Sequence, residues 1–259
     1  MNKYGQPPYT IAAIHGGPGA AGEMAAVARE LASAWGVLEP HQTADSLEGQ
    51  VAELVAALET EASLPAILVG HSWGAWLAWL VAARHPGLVS KLILVGSGPF
   101  TSRYATQVQQ TRLSRLSEAE IDEFEACLER LADPAAEDKN VTLARLGLLV
   151  THADAYDLVP VEAAPSTFRG DIYQRVWPEA AALRRSGRLL ALASEIRCPV
   201  VAIHGDHDPH PALGVEEPLS SLLADFRLIL LERCGHTPWL ERWAREEFYE
   251  VLREELAVV

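Results

Sequence analysis

Cysteine is scarce in this chain. Among 259 residues there are three, Cys127, Cys198 and Cys234, widely spaced and with no CxxC pair. A zinc site or a disulfide framework needs more thiols at closer spacing, so the three read as small buried apolar residues. Positive charge is scarce too. Lys and Arg number 21 against 35 Asp and Glu, a net charge of −14. Phosphate binding needs concentrated Lys and Arg, so neither nucleic acid nor an anionic membrane is an expected partner. The N-terminus MNKYGQPPYT lacks the apolar core of an export signal. The expected location is therefore cytoplasmic. Residues 65–83 carry no Asp, Glu, Lys or Arg and approach spanning length. Pro65, His71, Ser72 and two glycines interrupt them, which fits a strand followed by a buried helix better than a membrane span.

What remains is an ordinary soluble composition, 49% hydrophobic and 22% charged. The length suits one large domain, or one domain with an insertion, and is enough to bury a full core. Short apolar runs end at turn residues: TIAAIHG at 10–16, PAILVGHS at 65–72, KLILVGSG at 91–98, PVVAIHGD at 199–206 and RLILLERCGH at 227–236. Continuous runs of this length predict strands buried on both faces. WGVLEP at 35–40 is a weaker candidate. Helical patterns lie between them. Leu47, Val51, Leu54, Val55 and Leu58 recur at helix spacing behind Asp45 and Glu48, which resemble a capping pair. Leu240, Trp243, Val251, Leu252 and Leu256 mark a final helix. Strands alternating with helices predict a mostly parallel sheet covered on both sides.

The alternation stops between about Phe100 and Leu192. Ser117 to Glu120 has capping-box form, with Ile121, Phe124, Leu128 and Leu131 following at helical spacing until Asp133-Pro134. Further helices are expected near 138–152 and 171–190. The expected organisation is an α/β core at 1–99 and 192–259, with a helical cap at 100–191.

Chemistry concentrates in three places. Gly70-His71-Ser72-Trp73-Gly74 follows one apolar run and precedes the uncharged helix AWLAWLVAA. A serine at a sharp strand-to-helix turn projects its hydroxyl, flanking glycines allow close packing, and the Trp73 N–H can face a developing oxyanion. The pattern alone arises by chance in about one such chain in ten. His15-Gly16-Gly17-Pro18-Gly19 is far rarer, on the order of one chain in several thousand. It lacks the GxGxxG order and the lysine of a phosphate cradle. A glycine N–H completing an oxyanion hole also explains the serine turn, with His15 holding the turn. The third place is the acid and base. His236 follows the last apolar run in CGHTPWLE, and Asp206 or Asp208 follows the preceding one in HGDHDPH. Asp206 reads as a carboxylate bonding its own loop. The order Ser72, Asp, His236 is that of a nucleophile, acid and base on an α/β sheet. His207 and His210 could bind metal with these carboxylates, but no helical HExxH spacing supports it, so neither metal nor cofactor is expected.

With these motifs in place, the chain resembles the α/β-hydrolase superfamily over essentially its whole length. HGGPG with a GxSWG elbow is most similar to the branch containing prolyl aminopeptidases and their esterase relatives. The resemblance implies Ser72 as nucleophile, His236 as base and Asp208, in G-x-x-D, as acid. It places the oxyanion hole at the Gly17 and Trp73 N–H groups, with Gly16 lining it. Members usually begin with an antiparallel hairpin, for which only residues 1–9 remain here. A sheet of about six strands is therefore expected, with the strand near 36–39 open for pairing with another subunit. EPHQTADSLEGQ at 39–50 replaces a glycine-rich segment common in relatives, so one pocket wall differs.

The expected activity is a serine hydrolase cleaving a small ester or related acyl substrate through an acyl-enzyme. A prolyl-type aminopeptidase acting on short peptides, a carbon–carbon bond hydrolase and a non-catalytic ligand receptor are the alternatives. His71, Tyr173 and Trp177 are the pocket candidates. Phe100, Tyr104, Tyr156 and Phe168 read as cap core. An aminopeptidase needs a carboxylate for the substrate amine; the cap offers Glu137, Asp138, Asp154, Asp157, Glu162, Asp171 and Glu179. Oligomeric state is not legible.

Overall fold

Apolar runs become strands at the expected places. The computed structural model describes residues 1–160 and 167–258. One sheet contains β1 (Asn2–Tyr4), β2 (Tyr9–Ile14), β4 (Gly36–Glu39), β5 (Ala66–His71), β6 (Val89–Val95), β8 (Val200–Gly205) and β9 (Phe226–Leu231). Its order is β1-β4-β2-β5-β6-β8-β9. All pairings are parallel except β1 with β4. The two-residue strands β3 (Ala20–Ala21) and β7 (Thr167–Phe168) pair antiparallel with each other.

Side-chain alternation explains the uninterrupted apolar runs. Ile11, Ala13, Ile67, Val69, Ile93, Val95, Val201 and Ile203 point to one face. They meet Met24, Val27 and Leu31 of the region of α1 (Ala25–Leu31), and Phe248 and Leu252 of α10 (Arg245–Ala257). Ala12, Ile14, Leu68, Leu92, Leu94, Val200 and Ala202 point to the other. They meet α2 (Leu47–Glu61) and α3 (Trp73–Arg84). Both faces are apolar because both are covered.

The sheet has seven strands rather than about six. Residues 2–4 supply the additional edge strand, registering Asn2 with Glu39 and Tyr4 with Val37. Its hold is polar: the buried Glu39 carboxylate accepts from Tyr4 Oη at 2.8 Å and Asn2 Nδ2 at 3.0 Å. Hydrophobic periodicity cannot find such a strand. β4 is therefore covered on its outer side, and the edge strand at that end of the sheet is the short polar β1.

Between β6 and β8 run α4 (Ser102–Arg115), α5 (Glu118–Ala132), α6 (Lys139–Asp154), α7 (Gly170–Arg185) and α8 (Arg188–Ala191). The capping box at Ser117 and Glu120 is present. Leu116, Phe124, Leu131, Leu143, Leu146 and Leu149 form a separate apolar cluster within this segment. The short α9 (Leu213–Ser220) precedes β9. Two local expectations change. Ser46, not Asp45, caps α2, accepting from Gly49 N at 3.1 Å, while Asp45 pairs with Arg175. The last helix begins at Arg245, and Trp243 lies outside it, 52% exposed. No described helix is long and apolar enough to cross a membrane.

Candidate active site

The turn between β5 and α3 is built by steric necessity. Ser72 has φ 52° and ψ −112°, a conformation that costs a non-glycine residue energy. A Cβ on Gly70 would lie 2.3 Å from the Gly74 oxygen, and one on Gly74 the same distance from the Ile14 oxygen. Only glycine allows this approach. Ser72 stands at the N-cap of α3 without using its side chain as a cap. The serine remains partly accessible.

The glycine-rich turn after β2 packs directly on this elbow. A Cβ on Gly16 would be 3.2 Å from Ser72 Cβ. Gly17 has φ +48°, which suits glycine. Neither the Gly17 nor the Trp73 backbone N–H donates to another described residue. Gly16 N is different: it donates to Glu23 Oε2 at 2.7 Å. His15 holds the turn as expected, bonding the Gly16 oxygen at 2.8 Å. The Trp73 indole is turned into the wall, donating to Gln50 Oε1 at 3.0 Å.

The acid and base meet at the ends of β8 and β9. His236 Nδ1 lies 2.8 Å from Asp208 Oδ2. An ionised carboxylate only accepts, so Nδ1 carries the proton and Nε2 is free to act as a base. Burial alone would raise Asp208, but the charges of His236, His210 and His204 outweigh it and hold the carboxyl well below its usual range. Burial likewise works against the His236 cation, but Asp208 prevails by charge and hydrogen bond and raises His236 above an ordinary imidazole. Asp206 does not bond its own loop as its sequence context predicts: it accepts from Cys234 N, on the loop after β9, at 3.1 Å.

His71, the sequence neighbour of Ser72, packs against His236. The His71 and His236 ring centroids are 4.7 Å apart. Ser72 Oγ makes no hydrogen bond to His236 or to any other described residue. Trp177 stacks on Trp76 at 6.2 Å, and Tyr173 on Trp177 at 6.3 Å. Trp76 is one helical turn beyond Ser72, so the stack starts beside the elbow. Phe100 packs on Trp79, Phe168 joins the separate helical cluster and Tyr104 bonds Glu217. Tyr156 departs from a core role: it is 46% exposed, its ring edge-on to His207.

Several site residues escape sequence reasoning. His210 Nδ1 is 3.0 Å from Asp208 Oδ1 and 3.2 Å from His236 Nδ1. Burial, followed by the His236 charge, lowers His210 to about 4, so it is neutral at pH 7. His204 Nε2 bonds the His210 oxygen at 2.7 Å. Asp154 is buried and takes a two-pronged bond from Arg112, at 2.7 and 2.6 Å, while its backbone oxygen accepts from His236 N at 3.0 Å. Glu241 fastens the same loop, accepting from Gly235, Tyr156 and Asp157 N–H groups. The density of His and Asp in DHDPH was the only sequence signal for this cluster. Asp154, His210 and His236 have ligand atoms within 4.8 Å of one another. Both Asp154 oxygens are already bonded to Arg112, so these residues form an ion-pair network and suit a metal poorly.

Of the helical-segment carboxylates, Asp138 pairs with Arg130, Asp171 with Arg169, and Asp157 with Arg242. Glu179 accepts from Leu47 N, and Glu137 is exposed. Glu162 lies outside the described residues.

The model of the Alpha/beta hydrolase family matches residues 14–248. The chain is 30% identical to a pimeloyl-[acyl-carrier protein] methyl ester esterase of Chromobacterium violaceum, over 95% of this chain and 93% of that enzyme. It is 24% identical to epoxide hydrolase 3 of Xenopus tropicalis, over 73% of this chain and 52% of that protein. The crystal structure of VinJ superposes with a TM-score of 0.65 at 19% identity, covering 98% of this chain and 93% of VinJ.

Proposed function

The chain belongs to the alpha/beta hydrolase family and is a hydrolase, and from that premise we propose that it is a serine esterase acting on a small ester or related acyl substrate. The observation that carries this reading is the buried Asp208–His236 pair, 2.8 Å apart, beside a serine held at positive φ. In the proposed reaction His236 Nε2 takes the Ser72 Oγ proton as the oxygen attacks the ester carbonyl. Asp208 fixes the imidazole and stabilises its cation. The Gly17 and Trp73 N–H groups, which have no acceptor among the described residues, hold the oxyanion. Each such donor typically lowers the barrier by ~3 kcal/mol. Collapse expels the alcohol, protonated by His236. Water, activated by the same histidine, then releases the acid from Ser72.

In this reading residues 100–191 cap a core of 1–99 and 192–259, and the Tyr173–Trp177–Trp76 stack lines the acyl side of the site. The esterase relative supports ester over peptide chemistry. So do the helical-segment carboxylates, because among the described residues each is paired or exposed and none is offered to a substrate amine. The reading also carries no nucleic-acid or anionic-membrane partner, on the ground of the −14 charge.

Initial rates on p-nitrophenyl butyrate and on proline p-nitroanilide test the proposal, with Ser72→Ala as control. The expected result is ester cleavage lost in the variant and no anilide cleavage. Anilide cleavage that needs a free amine would replace it with the aminopeptidase of the same branch. Ester cleavage that survives in Ser72→Ala would remove the serine from the mechanism.

A further inference from the structure

Glu23 is not part of any short motif, yet it touches both glycine-rich segments of the site. It follows β3 and precedes α1. Its Oε2 accepts from Gly16 N at 2.7 Å and faces His71 Nδ1 at 3.0 Å. The other ring nitrogen, His71 Nε2, lies 3.0 Å from the backbone oxygen of His236. His71 is 1% exposed, so water does not serve either nitrogen. The edge of Trp239 closes over it, ring centroids 4.7 Å apart.

Both neighbours of this imidazole are acceptors. An ionised carboxylate and a carbonyl have no proton to give, and a neutral imidazole has only one N–H. The two bonds exist together only when each ring nitrogen carries a proton. We propose that Glu23 and a doubly protonated His71 form a buried positioning pair that fixes the oxyanion turn, the elbow and the backbone of the His236 loop relative to one another. The inference rests on the reading of Ser72 and His236 as the reacting pair.

The surroundings agree with that assignment. Burial alone would raise the Glu23 carboxyl, yet the His71 charge, its hydrogen bond and the Gly16 N–H bring it down to about 2. The other titratable groups near the pair are His236 from the loop after β9, His204 from β8 and His15 at the end of β2. His204 and His15 are pushed towards the neutral form, chiefly by burial. Glu23 is thus the anion bonded to His71. Gly16 must be glycine for the pair to exist. A Cβ there would stand 2.6 Å from Glu23 Oε2 and 2.8 Å from His71 Nδ1. Losing Glu23 would free Gly16 N beside the oxyanion donor and remove a proton from His71, releasing one of its bonds. Misplacement of about 1 Å in such a site costs on the order of a hundredfold.

The test joins a spectrum to kinetics on the full chain. Imidazole ¹⁵N spectra of histidine-labelled protein at pH 7.5 should show both His71 nitrogens protonated in wild type and one in Glu23→Gln. Turnover of p-nitrophenyl butyrate by Glu23→Gln should fall about tenfold to a hundredfold, with KM within about threefold. A single protonated nitrogen on wild-type His71 would overturn the pair, and needs no variant to fold. A folded Glu23→Gln with kcat within about twofold of wild type would overturn its positioning role. If wild type does not turn over the ester at all, the esterase reading fails, and the spectrum still decides the pair.

Discussion

The two halves of the site are made by different physics. The elbow half is backbone geometry: a Cβ on Gly70 or Gly74 would stand 2.3 Å from a backbone oxygen, and Ser72 sits at φ 52°. The Asp208–His236 half is a cluster of buried charged and polar side chains, with His204, His210, Asp154 and Arg112 around it. The Gly70–Gly74 motif of the first half is contiguous in sequence. In the second, His236 reaches His210 and Asp208 across 26 and 28 residues, and Arg112 reaches Asp154 across 42. Steric requirements therefore locate the proposed nucleophile, whereas electrostatics make the proposed base, and the two should fail in different ways when altered.

Gly74→Val should break the first half outright. Its side chain would meet the Ile14 and His15 carbonyls, and the loss should exceed ~4 kcal/mol, read as absent or molten protein in a thermal melt. Asp208→Asn should break the second half without unfolding the chain. Turnover should fall about 10⁴-fold, because the imidazole loses its orienting acceptor and its tautomer. A variant that melted as early as Gly74→Val would erase the distinction between the halves.

The pH profile sharpens the comparison. His236 must be neutral to accept the serine proton, and its folded value is raised. Activity should therefore fall on the acid side at a pH above the ~6.5 of an ordinary imidazole, and in Asp208→Asn that limb should move down. Glu23 is shifted the other way, and its effect is read in stability rather than in activity. Its folded value is depressed to about 2, so its contribution is present above ~4.3 and lost as pH falls towards 2. The stability gap between wild type and Glu23→Gln should close across that window. The smallest effect concerns the aromatic stack. Trp177→Ala should raise KM a few-fold for long acyl esters and leave short ones unchanged, with kcat nearly constant.

What the sequence disclosed follows the same division. Buried strands announce themselves as apolar runs, and the elbow and HGGPG turn are local patterns with local causes. β1 leaves no apolar run because its Asn2 and Tyr4 bond the buried Glu39 and only Tyr4 also packs against the core. Asp45 looked like the cap of α2 because the adjacent Ser46 offers the same chemistry, and only geometry chooses between them. Glu23 and Arg112 carry no pattern, since their partners His71 and Asp154 lie 48 and 42 residues away. Long-range pairing of charges leaves no periodic trace in a sequence.

The most direct test is intact-mass analysis of the protein after exposure to a fluorophosphonate, with peptide mapping and Ser72→Ala alongside. The account predicts one adduct per chain, on Ser72, slowed strongly by Asp208→Asn and absent from Ser72→Ala. Labelling at another residue, or no adduct on a wild-type protein that hydrolyses esters, would contradict it.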